Sequence, residues 1–167
     1  MTIILKTSAV FTLFVFVMFS SGCNSLEKLP LTEIYASNQC ATKQTSIELI
    51  NDQAKLQTII NKNNASLFLA TPMQIPELDF EHVIALQINA GQKNTAGYNI
   101  VLTEPEASLK QQSLYLPIEI QAPDKKLMQA QMISSPCKIF SLPKADFTKI
   151  IINEELFLDL TKLEPRQ

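Results

Sequence analysis

Short runs of alternating apolar residues dominate the chain after residue 80, and this pattern constrains the fold more than any other feature. In Phe80–Ala90, for example, Ile84, Leu86 and Ile88 fall on one face of an extended strand. Similar runs predict strands over residues 45–50, 98–103, 114–120, 127–133, 138–142, 149–152 and 156–160. Because proline cannot donate a ladder hydrogen bond, Pro117 predicts an edge strand or a bulge within its run.

One segment has the periodicity of a helix instead. Gln53–Lys62 places apolar residues at positions 56, 59 and 60 on a single stripe, and Asn51 or Asp52 can cap its first amides. No strand–helix–strand alternation follows residue 65, so a parallel doubly wound sheet is not expected. The sequence therefore predicts a mainly β (α+β) fold, an antiparallel β-sandwich or barrel of about seven or eight short strands with one helix near the N-terminus.

Residues 1–22 have the features of a secretory signal. Lys6 precedes an apolar run, Ala9–Phe19, that is shorter than the roughly 20 residues a membrane-spanning helix needs. The residues before Cys23 resemble the lipobox of bacterial lipoproteins, in which the cysteine is acylated with diacylglycerol and the chain is cut just before it. We therefore expect lipidation at Cys23 and a polar tether over residues 23–32, with an ordinary signal peptide and a coincidental cysteine as the alternative.

The residue after that cysteine bears on where the protein is sorted. Asn24, rather than an aspartate, stands there, as in lipoproteins sent to the outer membrane of diderm bacteria. The expected location is the cell envelope, lipid-anchored and facing the periplasm, with the outer membrane as the membrane concerned. Removing the signal leaves about 145 residues, which is enough to bury one core, and residues 33–167 are expected to form a single domain.

Two cysteines are left once Cys23 is assigned to the lipid, and these are Cys40 and Cys137. An exported pair in an oxidising compartment most simply forms a disulfide. The alternatives are a nucleophilic Cys137 activated by His82 and a pair of unreactive thiols. A disulfide closing so long a loop stabilises the folded state by up to roughly 4–5 kcal/mol in the chain-entropy account.

Charge and chemistry exclude several functional classes. The 14 Lys and Arg against 16 Asp and Glu give no basic excess, so a nucleic-acid binder is not expected. The chain has one histidine, His82, and it has no Gly-x-Ser-x-Gly elbow, no P-loop and no zinc-type cysteine spacing. We therefore expect a protein that is not an enzyme and that uses no cofactor and no metal.

The glycines draw attention to one loop. Of the three glycines, Gly22 lies in the signal and the other two, Gly91 and Gly97, bracket residues 91–97. Glycine permits a positive φ or a close backbone approach. The loop joins two of the predicted strands, so it is either a hairpin tip or a connection at one end of a sandwich. Its length exceeds that of a tight hairpin, which favours recognition, with plain turn chemistry as the alternative.

We predict that this loop contacts a protein partner. Its residues are Gly91, Gln92, Lys93, Asn94, Thr95, Ala96, Gly97 and Tyr98. The side chains at positions 92–94 are expected to be exposed. The Tyr98 ring has the amphipathic character of an interface anchor, although it begins a predicted strand and could equally belong to the core.

The loop and its flanks resemble the PrcB family of protease-complex subunits. Domains of that family carry a Gly-x-x-Pro-Thr-Gly-Gly-Tyr loop, whose Thr-x-Gly-Tyr part is present here as Thr95, Gly97 and Tyr98. The flanking matches, which extend the resemblance over about residues 45–152, are Asp79-Phe80, Pro136 and Pro143-Lys144.

Two positions depart from the family pattern, since Asn94 replaces its proline and Ala96 replaces its first glycine. The resemblance implies an envelope lipoprotein that acts as a non-catalytic protein-binding module, with an accessory or stabilising role in a protease complex. The implied partner is a protein, with a protease as the first candidate, and the membrane is reached through the N-terminal lipid.

The segment Asn94-Thr95-Ala96-Gly97-Tyr98 is also similar to the loop that chagasin-type inhibitors present to cysteine proteases. The second, glycine-rich loop and the third, Arg-Pro-Trp loop of that family are not found, and the chain has no tryptophan. Protease inhibition through residues 91–98 is therefore the alternative function.

Overall fold

The computed structural model describes residues 26–40, 42–64, 75–124, 126, 128–153 and 155–160. These ranges contain eleven β-strands and one helix. The strands are β1 (Glu27–Pro30), β2 (Thr32–Ser37), β3 (Thr45–Ile50), β4 (Val83–Ala90), β5 (Asn99–Leu102), β6 (Glu106–Lys110), β7 (Ser113–Leu116), β8 (Ile118–Gln121), β9 (Cys137–Pro143), β10 (Lys149–Ile152) and β11 (Glu155–Asp159), and helix α1 is Gln53–Asn64.

The strands form three sheets that enclose one main core. A five-stranded sheet has the order β1-β6-β7-β10-β11, a four-stranded sheet has the order β2-β9-β4-β3, and β5 pairs with β8 in a ribbon. The described strand pairs are antiparallel apart from β7 and β10, which run parallel. Buried side chains from all three sheets meet in the larger apolar core. The predicted mainly β class with a sandwich-like arrangement is confirmed.

Strand β4 lies in the middle of the four-stranded sheet, between β3 and β9. The predicted alternation along it is confirmed, because Ile84, Leu86 and Ile88 point into the larger core while Ala85 points into a second, smaller cluster. That second cluster is formed with helix α1, which covers the other face of the sheet. Burial on both faces explains why this strand has the clearest apolar run in the chain.

Helix α1 begins where the sequence predicts. Asp52 is the cap, since its Oδ1 accepts the backbone N–H of Lys55 at 2.7 Å. Leu56, Ile59 and Ile60 are buried, and each contributes roughly 1.5–3 kcal/mol of hydrophobic stabilisation. The helix extends two residues beyond the predicted Lys62, to Asn64. The side chain of Asn63 is buried, and its Nδ2 donates to Cys137 Sγ.

The tether predicted over residues 23–32 is wrong from residue 27 onward. Glu27–Pro30 is strand β1 and pairs with β6 at the edge of the five-stranded sheet, where a proline is tolerated. Leu29 and Leu31 are buried, and they anchor this part of the chain to the larger core. The polar residues that suggested a tether belong to the exposed face of an edge strand, and Cys23 lies outside the described residues.

Three strand predictions also need correction. Residues 114–120 form two strands, β7 and β8, which separate into different sheets at Pro117. Strand β6 was not expected, because only Ala107 and Leu109 of its five residues are buried. The described residues of the run 127–133 form no strand. The predicted strands 149–152 and 156–160 are present as β10 and β11, which pair in antiparallel register.

The predicted disulfide between Cys40 and Cys137 is present. Its Cα atoms are 5.9 Å apart, inside the usual range for disulfides, and both residues are buried beside helix α1. The bond ties the segment after β2 to the first residue of β9 across a sequence separation of 97. Within the described residues, no helix has the length and hydropathy needed to cross a bilayer.

We expect the Cys40→Ser, Cys137→Ser double variant to lose up to roughly 4 kcal/mol of unfolding free energy, because the bond closes a long loop in the unfolded chain. Urea unfolding of the exported protein measures the change, and reduced wild type serves as the control. Alkylation of both thiols in unreduced, natively exported protein, seen by intact mass, would contradict the disulfide.

A candidate protein-binding surface

The loop at residues 91–98 connects two sheets and is not a hairpin tip. It leaves β4 at the centre of the four-stranded sheet and enters β5, which pairs with β8 in the ribbon. Of the two placements predicted from the sequence, the hairpin tip is therefore wrong and the connection at the end of the sandwich describes the observed path.

Both loop glycines have the backbone geometry predicted for them. Gly91 has a φ of 73° and Gly97 a φ of 91°, in the region that glycine adopts without steric cost. A Cβ on Gly91 would also lie 2.8 Å from the backbone N of Thr45 and 2.9 Å from the carbonyl carbon of Gln44. Two separate features therefore require glycine at position 91: the positive φ and the close approach of the β3 backbone.

A second segment, residues 128–134, supports the loop along one side. The backbone N–H of Lys93 donates to Ser134 O at 2.8 Å, and the N–H of Ser134 donates back to Lys93 O at 3.0 Å. Further along, Ala96 N donates to Ala130 O at 3.1 Å and Ser134 Oγ donates to Thr95 O at 2.9 Å. The loop is thus a braced surface rather than an isolated projection.

The prediction that positions 92–94 are exposed is correct at two of the three. Gln92 and Asn94 are exposed, whereas Lys93 is half-buried. Its ammonium lies 5.2 Å from the centroid of the Tyr98 ring, within the range of a cation–π contact. Tyr98 is itself half-buried, so it is an accessible ring at the surface and not a core residue.

The supporting segment carries apolar side chains that sequence reasoning missed. Met128, Met132 and Ile133 have relative exposures of 101%, 49% and 61%, and they account for most of the large exposed hydrophobic residues among those described. The sequence suggested a strand here, in which such residues would be buried. Together, residues 92–98 and 128–133 form what we call the Met-rich surface.

Adjacent exposed apolar side chains on a soluble domain usually mark a contact surface. Methionine is flexible and polarisable, and both methionine and tyrosine are enriched in protein interfaces. Exposed amides at Gln92 and Asn94 provide a polar rim beside these groups. The Met-rich surface therefore has the composition of a protein-binding site.

Two of the three flanking matches of the family resemblance, Asp79-Phe80 and Pro143-Lys144, lie at the other end of β4. Asp79 and Phe80 form a turn before that strand, where a strand start was predicted, and the N–H of Lys144 donates to His82 O at 2.8 Å. Asp79 Oδ1 accepts the Glu81 N–H at 3.0 Å, and its Oδ2 lies 2.7 Å from His82 Nδ1. The contact with His82 is the largest cause of a lowered pKa at the Asp79 carboxyl.

His82 has no geometry for catalysis with Cys137. The sulfur of Cys137 is in the disulfide and is not a free thiol. Cys137 also pairs with Asn89, which is seven residues from His82, so the two side chains are separated by roughly 20 Å along the strand. The alternative of a nucleophilic Cys137 is therefore wrong. Asp79, Glu81 and His82 offer metal-type ligand atoms within 4.8 Å of one another, but all three are exposed and Asp79 is engaged in its turn.

The comparison with protein families agrees with these observations. Residues 84–143 match the family model described as PrcB C-terminal, which confirms the resemblance seen in the sequence. No curated protein and no solved structure matches the chain. The matched region runs from β4 to the end of its partner β9, so it includes the 91–98 loop and the supporting segment.

We expect Gly91→Ala to destabilise the protein more than Gly97→Ala. Each forces a positive φ on alanine, at a cost on the order of 1–3 kcal/mol. The first also drives a methyl group into β3 backbone, while the second meets the movable Gln129 side chain and Pro123. Chemical unfolding measures both, with the exposed Asn94→Ala as a control that changes stability by about 0.5 kcal/mol or less. Equal stability of Gly91→Ala and wild type would contradict the close approach.

Proposed function

We propose, from the match of residues 84–143 to the PrcB C-terminal family model, that this protein is a non-catalytic binding module of the bacterial cell envelope. Its role is that of an accessory or stabilising subunit in a protease complex. The family match is the observation that carries the proposal, and the protein it binds is a protease.

The Met-rich surface supports this role. Tyr98 offers a half-buried ring held by the Lys93 ammonium, and such pre-positioned aromatic groups make good interface anchors. Met132 and Ile133 lie between Ala130 and Ser134, the two residues that brace the loop, and they add exposed apolar area. A partner docking here would cover apolar surface that is otherwise in contact with water.

Protease inhibition by insertion of the 91–98 loop is less well supported. An inserting loop must project far enough to enter a cleft, whereas Lys93, Thr95 and Ala96 are each hydrogen-bonded to the 128–134 segment. The loop and the segment present one broad surface. Such a surface suits contact with the outside of a partner better than occupation of a narrow active site.

The proposal includes an N-terminal lipid on Cys23 and a signal over residues 1–22. Both lie outside the described residues, and the short apolar run and the Ser21-Gly22-Cys23 sequence support them. A lipoprotein cysteine carries more than one acyl chain, which is what stable membrane attachment requires.

We expect Cys23→Ser to remove the protein from the membrane fraction, because it deletes the acylated thiol. The measurement is fractionation of the native cells followed by immunoblotting. The Cys40→Ser, Cys137→Ser double variant is the matched control, since it also removes cysteines and should stay with the membrane. Unchanged membrane association of Cys23→Ser would show that the anchor is wrong.

We expect the Met128→Ser, Met132→Ser variant to fold normally, because both side chains are exposed. The amount of partner recovered with it should fall about tenfold or more, since a few anchor residues dominate binding. Cross-linked complexes purified from the native envelope are quantified by mass spectrometry. Leu26→Ser, Tyr115→Ser is the control, because those exposed apolar residues lie outside the surface.

The outcomes separate the parts of the proposal. Failure of wild type to recover any protease would overturn the accessory-subunit role. Equal recovery by the methionine variant would leave that role standing and refute the surface. If the recovered protease is active only when this protein is removed, inhibition is the correct function.

A further inference from the structure

A polar cleft lies between helix α1 and the β3–β4 pair, on the sheet face opposite the larger core. It encloses about 310 Å³, at the lower end of the range for small-molecule sites. Gln87 and Asn89 lie in its β4 wall, Ser46 in its β3 wall, and Lys55 and Lys62 in its helix wall. We call it the amide cleft.

The β4 wall of the cleft is unusual for a central strand. Gln87 and Asn89 are only 4% and 2% exposed, at positions where a strand in the middle of a sheet ordinarily carries apolar side chains. Buried amides are costly unless they are hydrogen-bonded, so their partners determine how they are oriented. Ala85, on the same face of the strand, packs with the helix instead.

A hydrogen-bond network fixes both amides. Gln87 Nε2 donates to Asn89 Oδ1 at 2.7 Å, and Thr42 Oγ1 donates to the same oxygen at 2.9 Å. Asn89 Nδ2 donates to Ser46 Oγ at 3.1 Å. The Asn89 oxygen therefore has both of its lone pairs engaged, while each amide nitrogen has used one of its two hydrogens.

The remaining hydrogen-bonding capacity of the cleft includes both donors and acceptors, since Gln87 Oε1 accepts no hydrogen bond from the described residues and the Glu48 carboxylate also lines the cleft. The donors are the second hydrogen of each amide and the Ser46 hydroxyl hydrogen, which make no hydrogen bond within the described residues. Lys55 is occupied by Glu48 Oε1 and Leu49 O. Lys62 is exposed at the rim with no carboxylate within 4.0 Å in the described part of the chain.

We propose that the amide cleft binds the carboxylate of a small ligand, about the size of one or two amino-acid residues. One net positive charge remains after Lys55 pairs with Glu48, which matches a monoanion. The carboxylate accepts from the Lys62 ammonium and from the amide hydrogens of Gln87 and Asn89, and charge-assisted bonds of this kind are the strong ones. Ile59 supplies an apolar wall for the adjoining carbon atoms.

This site does not depend on the proposed accessory role, because it lies on the helix-covered face and not on the Met-rich surface. Two sources supply the required chemistry: the C-terminal end of a peptide and a free small carboxylic acid. They share the carboxylate and differ in whether an amide-linked residue precedes it.

The test is calorimetric titration of the exported full-length protein with three probes: N-acetyl-dialanine, its C-terminal amide, and propionate. We expect the free dipeptide to bind and the C-terminal amide to bind at least about tenfold more weakly, since it lacks the anion. Dipeptide binding at least tenfold tighter than propionate identifies a peptide end, and equal binding identifies a free acid.

Variants of one exposed lysine complete the test. We expect Lys62→Met to weaken dipeptide binding at least about tenfold and Lys62→Arg to retain it, because arginine keeps the charge. Lys110→Met, an exposed lysine on β6, is the matched control and should bind as wild type does. No heat from either carboxylate, equal binding of the amide, or unchanged binding by Lys62→Met would each overturn the proposal.

Discussion

The pairing of β4 with β9 is the interaction on which the rest of the structure depends. Seven consecutive residues of each strand pair in antiparallel register, from Val83 opposite Pro143 to Asn89 opposite Cys137. One face of this pair forms part of the larger core, and the other carries helix α1. The disulfide then fixes one end of the pair to the segment after β2. Both proposed binding regions adjoin this pair, since the 91–98 loop follows β4 and two β4 side chains line the amide cleft.

The same pairing explains how the Met-rich surface and the amide cleft come to be neighbours. Residues 42–45, which lead into β3, contact both regions. Thr42 donates to Asn89 in the cleft, and Lys43 O accepts the Gln92 N–H in the loop at 3.0 Å. Gly91 must lack a side chain because Thr45 passes directly beside it. Residues 42–45 thus contact both the amide cleft and the loop of the Met-rich surface.

The sequence predicted those elements correctly in which one whole face of a strand or helix is buried. Strand β3, strand β4, helix α1 and the disulfide were all predicted, since alternation, helical periodicity and an even cysteine count leave strong local signals. It failed for β1 and β6, where charged residues are exposed and only one or two side chains of each strand are fully buried. The exposed segment 128–133 was mistaken for a strand, because sequence alone does not distinguish an apolar side chain in a core from one on a surface.

The loop itself was found from its glycines, but the residues that brace it were not. Ser134 and Thr95 meet across 39 positions of sequence, and no periodicity records such a contact. The amide cleft was missed for a related reason. Gln87 and Asn89 interrupt an otherwise apolar strand, and only the position of α1 shows that they line a cavity.

The early start of β1 has a consequence for how the domain would sit in the envelope. Strand β1 begins at Glu27, and even a fully extended backbone from residue 23 to residue 27 reaches at most about 15 Å. With a lipid on Cys23, the edge strand would stay close to the headgroups, and the domain could not sweep through the periplasm as a long stalk permits. Encounter with a membrane-bound partner would then take place in two dimensions, where confinement to a thin layer raises the effective concentration and lets a weak contact suffice.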